Sequence, residues 1–586
     1  MKRRATMPRL IVLVAYAVLA ASAGRPAQAQ PAPEGASGWA EKPVSIAQSF
    51  MVVAANPLAS DAGAAVLARG GSAIDAMVAT QLVLNLVEPQ SSGIGGGAFL
   101  LYWDAAKQRL TTFDGRETAP KAARPDLFLK PDGTPMSFLE AVVGGRSVGV
   151  PGTLALLELA HDLHGRLPWA ELFQPAIDLA ENGFTISPRL AGAIADTAAQ
   201  GLDRSEATRA YLLQPDGQPR RAGTVLKNPA FAQSLRLIAR EGAKALYRGE
   251  IGDAIVEAVQ KAPVNPGLLT KEDLASYRVV LREPVCRPYR RVEVCGMGPP
   301  SSGGVAVLQI LGLLEHFDMR SLGSGVDGMH VLLEASKLAF ADRDLYLADD
   351  DFVPVPLRGL LDPSYLTVRA QAIRLDAAMP KAIPGNPPWR EIGPLAPDTR
   401  DERPGTSQIV IVDRAGNAVS MTTTIESGFG SRLMAGGFML NNELTDFSFQ
   451  PEQNGRPVAN RVEPGKRPRS SMAPTIVLDA SRRPMLLIGS PGGSQIIGYV
   501  AQALVGILDW GMSPQAAVAM GHVLSRNGPA ELEAGTPAAA LEPALAARGH
   551  QVQVKPLNSG LHAILIGNGR LESGIDPRRE GAARGQ

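Results

Sequence analysis

The sequence predicts a layered α/β (α+β) fold made of two chain segments joined by an irregular connector. Three observations carry this. Residues 150–350 read mostly as helix, with one strand pair around the two cysteines. From Gln408 onward, short alternating strands dominate, with helix-like segments between them. Between these regions lies "PKAIPGNPPWREIGPLAPDTRDERPG", residues 380–405, dense in Pro and Gly and without a period; it predicts a mobile segment. The chain has 586 residues, 45% hydrophobic and 20% charged, which is globular composition with room for a large core.

Each element follows from local pattern. "MKRRATMPRLIVLVAYAVLAASAGRPAQAQ" has basic residues, an apolar run from Leu10 to about Ala23, and Ala27-Gln28-Ala29. That order predicts a secretory signal over residues 1–29 with an A-x-A cleavage site. The run is short for a membrane span, which needs ~20 residues; an uncleaved anchor is the alternative. Removing residues 1–29 removes five cations (Lys2, Arg3, Arg4, Arg9, Arg25) and no acid, so the formal charge falls by five, from +1 to −4. A mildly acidic chain without a basic patch is a poor nucleic-acid binder.

"NPLASDAGAAVLARGGSAIDAMVATQLVLNLVEP" predicts two helices broken at Gly70-Gly71. The second is apolar nearly all round, at Ile74, Met77, Val78, Leu82, Val83 and Leu86, and is expected to be buried. Ser187-Pro188 and Ser513-Pro514 read as N-caps followed by first-turn prolines. Cys286 and Cys295 flank "RPYRRVEV". In an exported protein they form either one disulfide across a hairpin or two separate thiols; geometry decides. After the connector, "QIVIVD" and "NAVSMTTT" alternate around a "DRAG" turn, "TIVLD" and "MLLIGS" repeat the scheme, and "HQVQV" and "HAILIG" add late strands.

The junction Gly405-Thr406 is the first chemical candidate. A threonine hydroxyl is a weak nucleophile, and its most economical base is its own α-amine, whose reference pKa is ~7.7–8.0. That amine exists only if the chain is cut before Thr406. Gly405 leaves its carbonyl unshielded, and the strand that follows holds Thr406 rigidly. The plain alternative is a β-branched residue starting a strand. "GSPGGS" at 489–494 follows a strand and is able to aim the N–H groups of Gly492 and Gly493 at an oxyanion. It lacks the lysine of a phosphate loop. "KRPRSSMAPT" places Ser470 and Ser471 before a strand, and "NNELTDFS" offers Glu443 and Asp446, able to hold an ammonium. The seven histidines form no H-E-x-x-H. The five acids from Asp342 through Asp351 miss calcium-loop spacing and read as a solvated turn. Nothing calls for a metal or organic cofactor.

Taken in order, "EPQSSGIGGGAF", "DGRETAP", "SVGVPGTLA", "PPSSGG", "AFADRDLYLADDDFVPVP", "GTSQIVIVDRAGNAVSMTTT", "LNNELTDFS", "KRPRSSMAPTIV" and "GSPGGSQII" resemble the γ-glutamyltranspeptidase family of N-terminal-nucleophile hydrolases (γ-glutamyltransferases, glutathione hydrolases). The resemblance spans nearly the whole chain after the leader. It implies a four-layer αββα sandwich and a precursor that cuts itself before Thr406. The products are a large subunit, 30–405, and a small one, 406–586, which stay together as a heterodimer. It implies γ-glutamyl amides such as glutathione as substrates, with water or an amino acid or peptide as acceptor, in the periplasm or outside the cell. By position, Thr406 matches the nucleophile, Thr424 the threonine that orients it, and Gly492 and Gly493 the oxyanion-hole glycines. Arg116, Ser470 and Ser471 match the α-carboxylate contacts, and Glu426, Glu443 and Asp446 the α-ammonium acceptors.

Three departures stand out. Thr406 is followed by Ser-Gln where many members have Thr-His. "GSRLMAGGFMLNN" is about two residues shorter than in some bacterial members. "FQPEQNGRPVANRVEPG" replaces a lid loop and has no tyrosine, which implies a more open pocket. A cephalosporin/glutaryl acylase or poly-γ-glutamate depolymerase of the same fold is the sibling alternative, and an uncleaved binding protein is a third. An acylase for groups without an ammonium has no use for Glu426, Glu443 and Asp446 together.

Overall fold

The computed structural model describes residues 37–389, 393–398 and 405–586. The leader predicted over residues 1–29 lies outside them, as do connector residues 390–392 and 399–404. Two seven-stranded antiparallel sheets form the centre. The first orders strands Ile46–Ala47, Arg570–Ile575, His562–Gly567, Pro484–Gly489, Thr475–Leu478, Val292–Gly296 and Val285–Tyr289. The second orders Ala582–Gly585, Met51–Ala54, Gly405–Val412, Ala418–Glu426, Gly97–Asp104, Arg109–Gly115 and Val280–Arg282. Both sheets interleave strands from before and after the connector. The two chain segments therefore share one set of backbone ladders.

Strand alternation sets the layers. In Gly405–Val412, Val410 and Val412 enter the core that holds Phe99, Leu101, Ile476, Leu487 and Ile564. Ile409 and Ile411 join Val52, Leu100 and Met421 in a second core with helices Pro57–Ala68 and Ala73–Val87. On the first sheet pack helices Gly303–Leu314 and Ile496–Leu508, with Val326–Tyr346 against Gly303–Leu314. The result is helix, sheet, sheet, helix: the four-layer αββα sandwich that the resemblance implies.

Local elements follow their sequence signals. The first two helices end and begin around Gly70-Gly71, and Ser72 opens the second with a capping box to Asp75. Every residue of Ala73–Val87 is buried. Ser187 and Ser513 each accept a first-turn N–H, from Leu190 and Ala516. Cys286 and Cys295 oppose one another across the strand pair and are joined in a disulfide.

One expectation changes. The acidic run is not one solvated turn: Asp342 sits buried in a helix against Tyr365 and Arg369, and buried Asp349 accepts the Arg467 N–H. Asp350 and Asp351 are exposed as expected. The strand from "HQVQV", Val552–Lys555, joins a separate three-stranded sheet, because it pairs in parallel with Ala530–Glu533. The described connector residues form no helix. They are pinned where Ala382 exchanges two hydrogen bonds with the Asn527 amide, where Ala396 N–H meets the Pro457 carbonyl, and where Asp398 pairs with Arg469.

Candidate active site

The site is built on one hairpin. Strands Gly405–Val412 and Ala418–Glu426 pair so that Thr406 faces Thr424 and Gly405 faces Glu426. An irregularity in the ladder falls between Gly405 and Thr406, where a bulge re-aims the chain. The Thr424 hydroxyl donates to the Gly405 carbonyl oxygen at 2.6 Å and accepts the Glu426 N–H at 2.9 Å. The Thr406 hydroxyl donates to Thr424 Oγ1 at 3.5 Å. One hydroxyl supplies one proton and two acceptor sites, so the three contacts are mutually compatible. The carbonyl of the Gly405-Thr406 peptide is thus polarised by one threonine, with the hydroxyl of the other beside it.

The glycine run "GIGGG" backs this hairpin. A Cβ on Gly96 would lie 1.9 Å from the Thr424 carbonyl oxygen, so only glycine allows the neighbouring strand to approach. Beside it, a Cβ on Gly97 would strike the Glu117 carboxylate.

Thr406, Thr424, Arg116, Glu426, Glu443, Asp446, Ser470, Ser471 and Gly493 line one small cleft, about 20 Å³ in volume, with Met472 and Ile496. Gly492, with φ of 137°, precedes Gly493 at the turn into the helix that begins at Ile496. The sequence places these residues up to several hundred positions apart; the sheets bring them together. Arg116 follows the end of the Arg109–Gly115 strand and is 1% exposed. Its guanidinium pairs with Glu443, pairs with Asp446 at 2.6 Å, and donates to the carbonyls of Pro468 (3.1 Å) and Arg469 (3.0 Å). Burial works against its charge, but Glu443, Asp446 and Glu117 outweigh it and hold the proton more firmly than usual. In this state Arg116 meets one oxygen of each of the two acids.

Residues that sequence reasoning did not single out complete the surroundings. Glu117, next to Arg116, is fully buried; burial first, and the Glu443 carboxyl second, push its pKa well above the carboxylate range. Glu443 is also raised, chiefly by burial and against the pull of Arg116. Arg343 donates to Ser471 Oγ at 2.7 Å and to Ser302 Oγ at 2.9 Å, and Ser302 in turn holds the Ser470 carbonyl. Ser407 donates to Glu88 at 3.2 Å. Arg432, in the loop "GSRLMAGGFMLNN", is buried within electrostatic reach of Glu426. Glu117 and Arg343 lie inside "DGRETAP" and "AFADRDLYLADDDF", so the motifs contained them. Nothing in their spacing marked them as partners of residues far along the chain. The tyrosine-free segment forms a short hairpin, Glu452–Gln453 with Arg456–Pro457, lying against the connector at Ala396.

Comparison with known proteins agrees with this geometry. The family model described as gamma-glutamyltranspeptidase matches residues 59–586. The chain is 38% identical to a glutathione hydrolase proenzyme of Bacillus subtilis (strain 168), covering 98% of each. It is 39% identical to the acylase ACY 1 proenzyme of Pseudomonas sp. (strain SE83), covering 91% of this chain and 93% of that one. Its fold matches the crystal structure of cephalosporin acylase from Bacillus halodurans with a TM-score of 0.81 at 29% identity, over 93% of this chain and 97% of that one. This chain is an enzyme of the γ-glutamyltranspeptidase family, with the N-terminal-nucleophile hydrolase fold.

Proposed function

We propose that the chain is exported as a precursor, cuts itself at Gly405-Thr406, and then cleaves γ-glutamyl amides such as glutathione. The observation that carries the proposal is the Thr424 hydroxyl on the Gly405 carbonyl, with the Thr406 hydroxyl beside it. In maturation, Thr406 Oγ1 attacks the Gly405 carbonyl carbon while Thr424 stabilises the charge growing on oxygen. The hydroxyl proton passes to the Thr406 nitrogen as the C–N bond breaks and an ester forms. Water hydrolyses it, leaving a Gly405 carboxylate and a free Thr406 α-amine. The subunits 30–405 and 406–586 remain a heterodimer because both sheets interleave them.

In turnover, the α-amine takes the Thr406 hydroxyl proton and Oγ1 attacks the γ-glutamyl amide carbon. Gly492 and Gly493 N–H groups face the resulting oxyanion. The amine leaves with the proton, and the γ-glutamyl-threonine ester passes its acyl group to water or to an amino acid or peptide. An α-amino acid zwitterion suits a cleft that already holds an internal ion pair. Its carboxylate takes the N–H groups of Arg116 and the hydroxyls of Ser470 and Ser471, and its ammonium takes Glu426, Glu443 and Asp446 in exchange. A planar two-donor fork fits a carboxylate. Release of p-nitroaniline from γ-glutamyl-p-nitroanilide by the processed protein tests the reading. Absence of turnover, or turnover that survives Thr406→Ala, contradicts it. The leader-like N-terminus supports a periplasmic location, which cell fractionation checks.

The acylase-named relative and the acylase fold match favour a second reading, cleavage of amides whose acyl group has a carboxylate but no ammonium. Glutaryl-amide cleavage well above γ-glutamyl cleavage would establish that reading instead.

A further inference from the structure

Arg432 is 3% exposed and has φ of 70°, a left-handed conformation seldom adopted by a long side chain. Its Nη1 donates to Ser427 Oγ at 3.3 Å and to the Gly430 carbonyl, while its buried Nε has no acceptor. Among the described residues it forms no direct ion pair. Burial pushes its pKa down to about 10, and the charge that opposes this is Glu426. A hydrogen-bonded path joins the two. Ser427 Oγ donates to Asn442 Oδ1 at 3.0 Å, and Asn442 Nδ2 donates to Glu426 Oε2. Glu426 lines the cleft with Thr406; Arg432 is not among the lining residues and reaches Glu426 through this path.

A buried arginine without a direct partner is costly to keep, and its field reaches far where water is excluded. Here it acts on the carboxylate that faces the acyl group. A γ-glutamyl group enters as a zwitterion of net charge zero, whereas a des-amino dicarboxylic acyl group enters with a net negative charge. Glu426 alone favours the first and repels the second. A cation behind Glu426 weakens both effects.

We propose that Arg432 is a specificity-determining residue: by offsetting Glu426 from behind, it opens the acyl site to dicarboxylic acyl groups without an α-ammonium while γ-glutamyl groups still bind. This rests on the γ-glutamyl reading above and extends its substrate class. Arg432 does not touch the reacting atoms; it acts through Glu426.

The test is a crossed comparison on processed enzyme at fixed ionic strength, using γ-glutamyl-p-nitroanilide and glutaryl-p-nitroanilide. Arg432→Gln is expected to lower kcat/KM for the glutaryl substrate relative to the γ-glutamyl one by at least about tenfold, carried mainly by KM. Glu426→Gln is expected to move the ratio the opposite way by a similar factor. Arg432→Lys, which keeps the charge, is expected to stay within about threefold of the parent ratio. If Arg432→Gln fails to process, the parent still decides: no detectable cleavage of glutaryl-p-nitroanilide beside active γ-glutamyl-p-nitroanilide cleavage overturns the proposal. A merely structural arginine would lower both rates together. A ratio unmoved by Glu426→Gln and by Arg432→Gln overturns the proposal. A parent enzyme that cleaves no γ-glutamyl substrate overturns the parent reading instead.

Discussion

Replacing Thr424 with Val removes one oxygen and keeps the shape of the side chain. In the structure that oxygen serves the Gly405 carbonyl at 2.6 Å and the Glu426 N–H at 2.9 Å, both in a buried hairpin. Each buried group left without a partner costs about 1–3 kcal/mol, so the folded precursor should lose a few kcal/mol of stability. The kinetic effect is a separate loss, because the missing donor points at the oxygen where negative charge grows. A single donor of that kind supplies about 2.7–4 kcal/mol, so self-cleavage should slow by about 10²–10³-fold. Thr424→Ser, which keeps the hydroxyl, should process within about tenfold of the parent. The assay follows loss of the full-length band on a denaturing gel after synthesis, with protease resistance as a check on folding. A folded Thr424→Val precursor that processes within about threefold of the parent rate would refute the reasoning.

Three further outcomes follow from the same geometry. Glu117→Gln should be tolerated and should gain relative stability as pH rises above about 4. Burial raises the carboxyl's pKa in the folded chain, so the parent ionises more readily when unfolded and loses stability above its unfolded pKa; a pH series of chemical denaturation that shows no growing difference contradicts this. Arg116→Lys should raise KM for γ-glutamyl-p-nitroanilide by at least about tenfold with a smaller change in kcat, since one ammonium does not reproduce four guanidinium contacts; steady-state kinetics decide it. Cys286 and Cys295 should show no thiol to a thiol reagent in denaturant until reductant is added. Reduction should cost about 2–3 kcal/mol, the value for so short a loop, measured as a fall in the thermal midpoint.

Much of the fold was legible because its signals are local. Glycine pairs, serine-proline caps and alternating strands report the conformation of their own neighbourhood, and those elements appear where the pattern puts them. The hairpin carrying Thr406 and Thr424 was legible for the same reason. Sheet membership was not: "HQVQV" alternates like a core strand, but its partner, Ala530–Glu533, is chosen by tertiary packing. The acidic run misled because charge density suggests solvent, while Asp342 and Asp349 each meet partners far along the chain. In the site, motif residues such as Arg116 and Ser471 stood out by resemblance. Glu117, Arg343 and Arg432 did not, because each matters through a contact with a residue whose distance in sequence carries no pattern.

The central claim is that the Gly405-Thr406 bond is the bond this hairpin is shaped to break. N-terminal sequencing of every band of the purified protein on a denaturing gel tests it directly. The account predicts two chains, the smaller beginning Thr-Ser-Gln-Ile-Val. A single stable full-length chain, or a small chain with any other first residue, would leave Thr406 without its α-amine and contradict the mechanism.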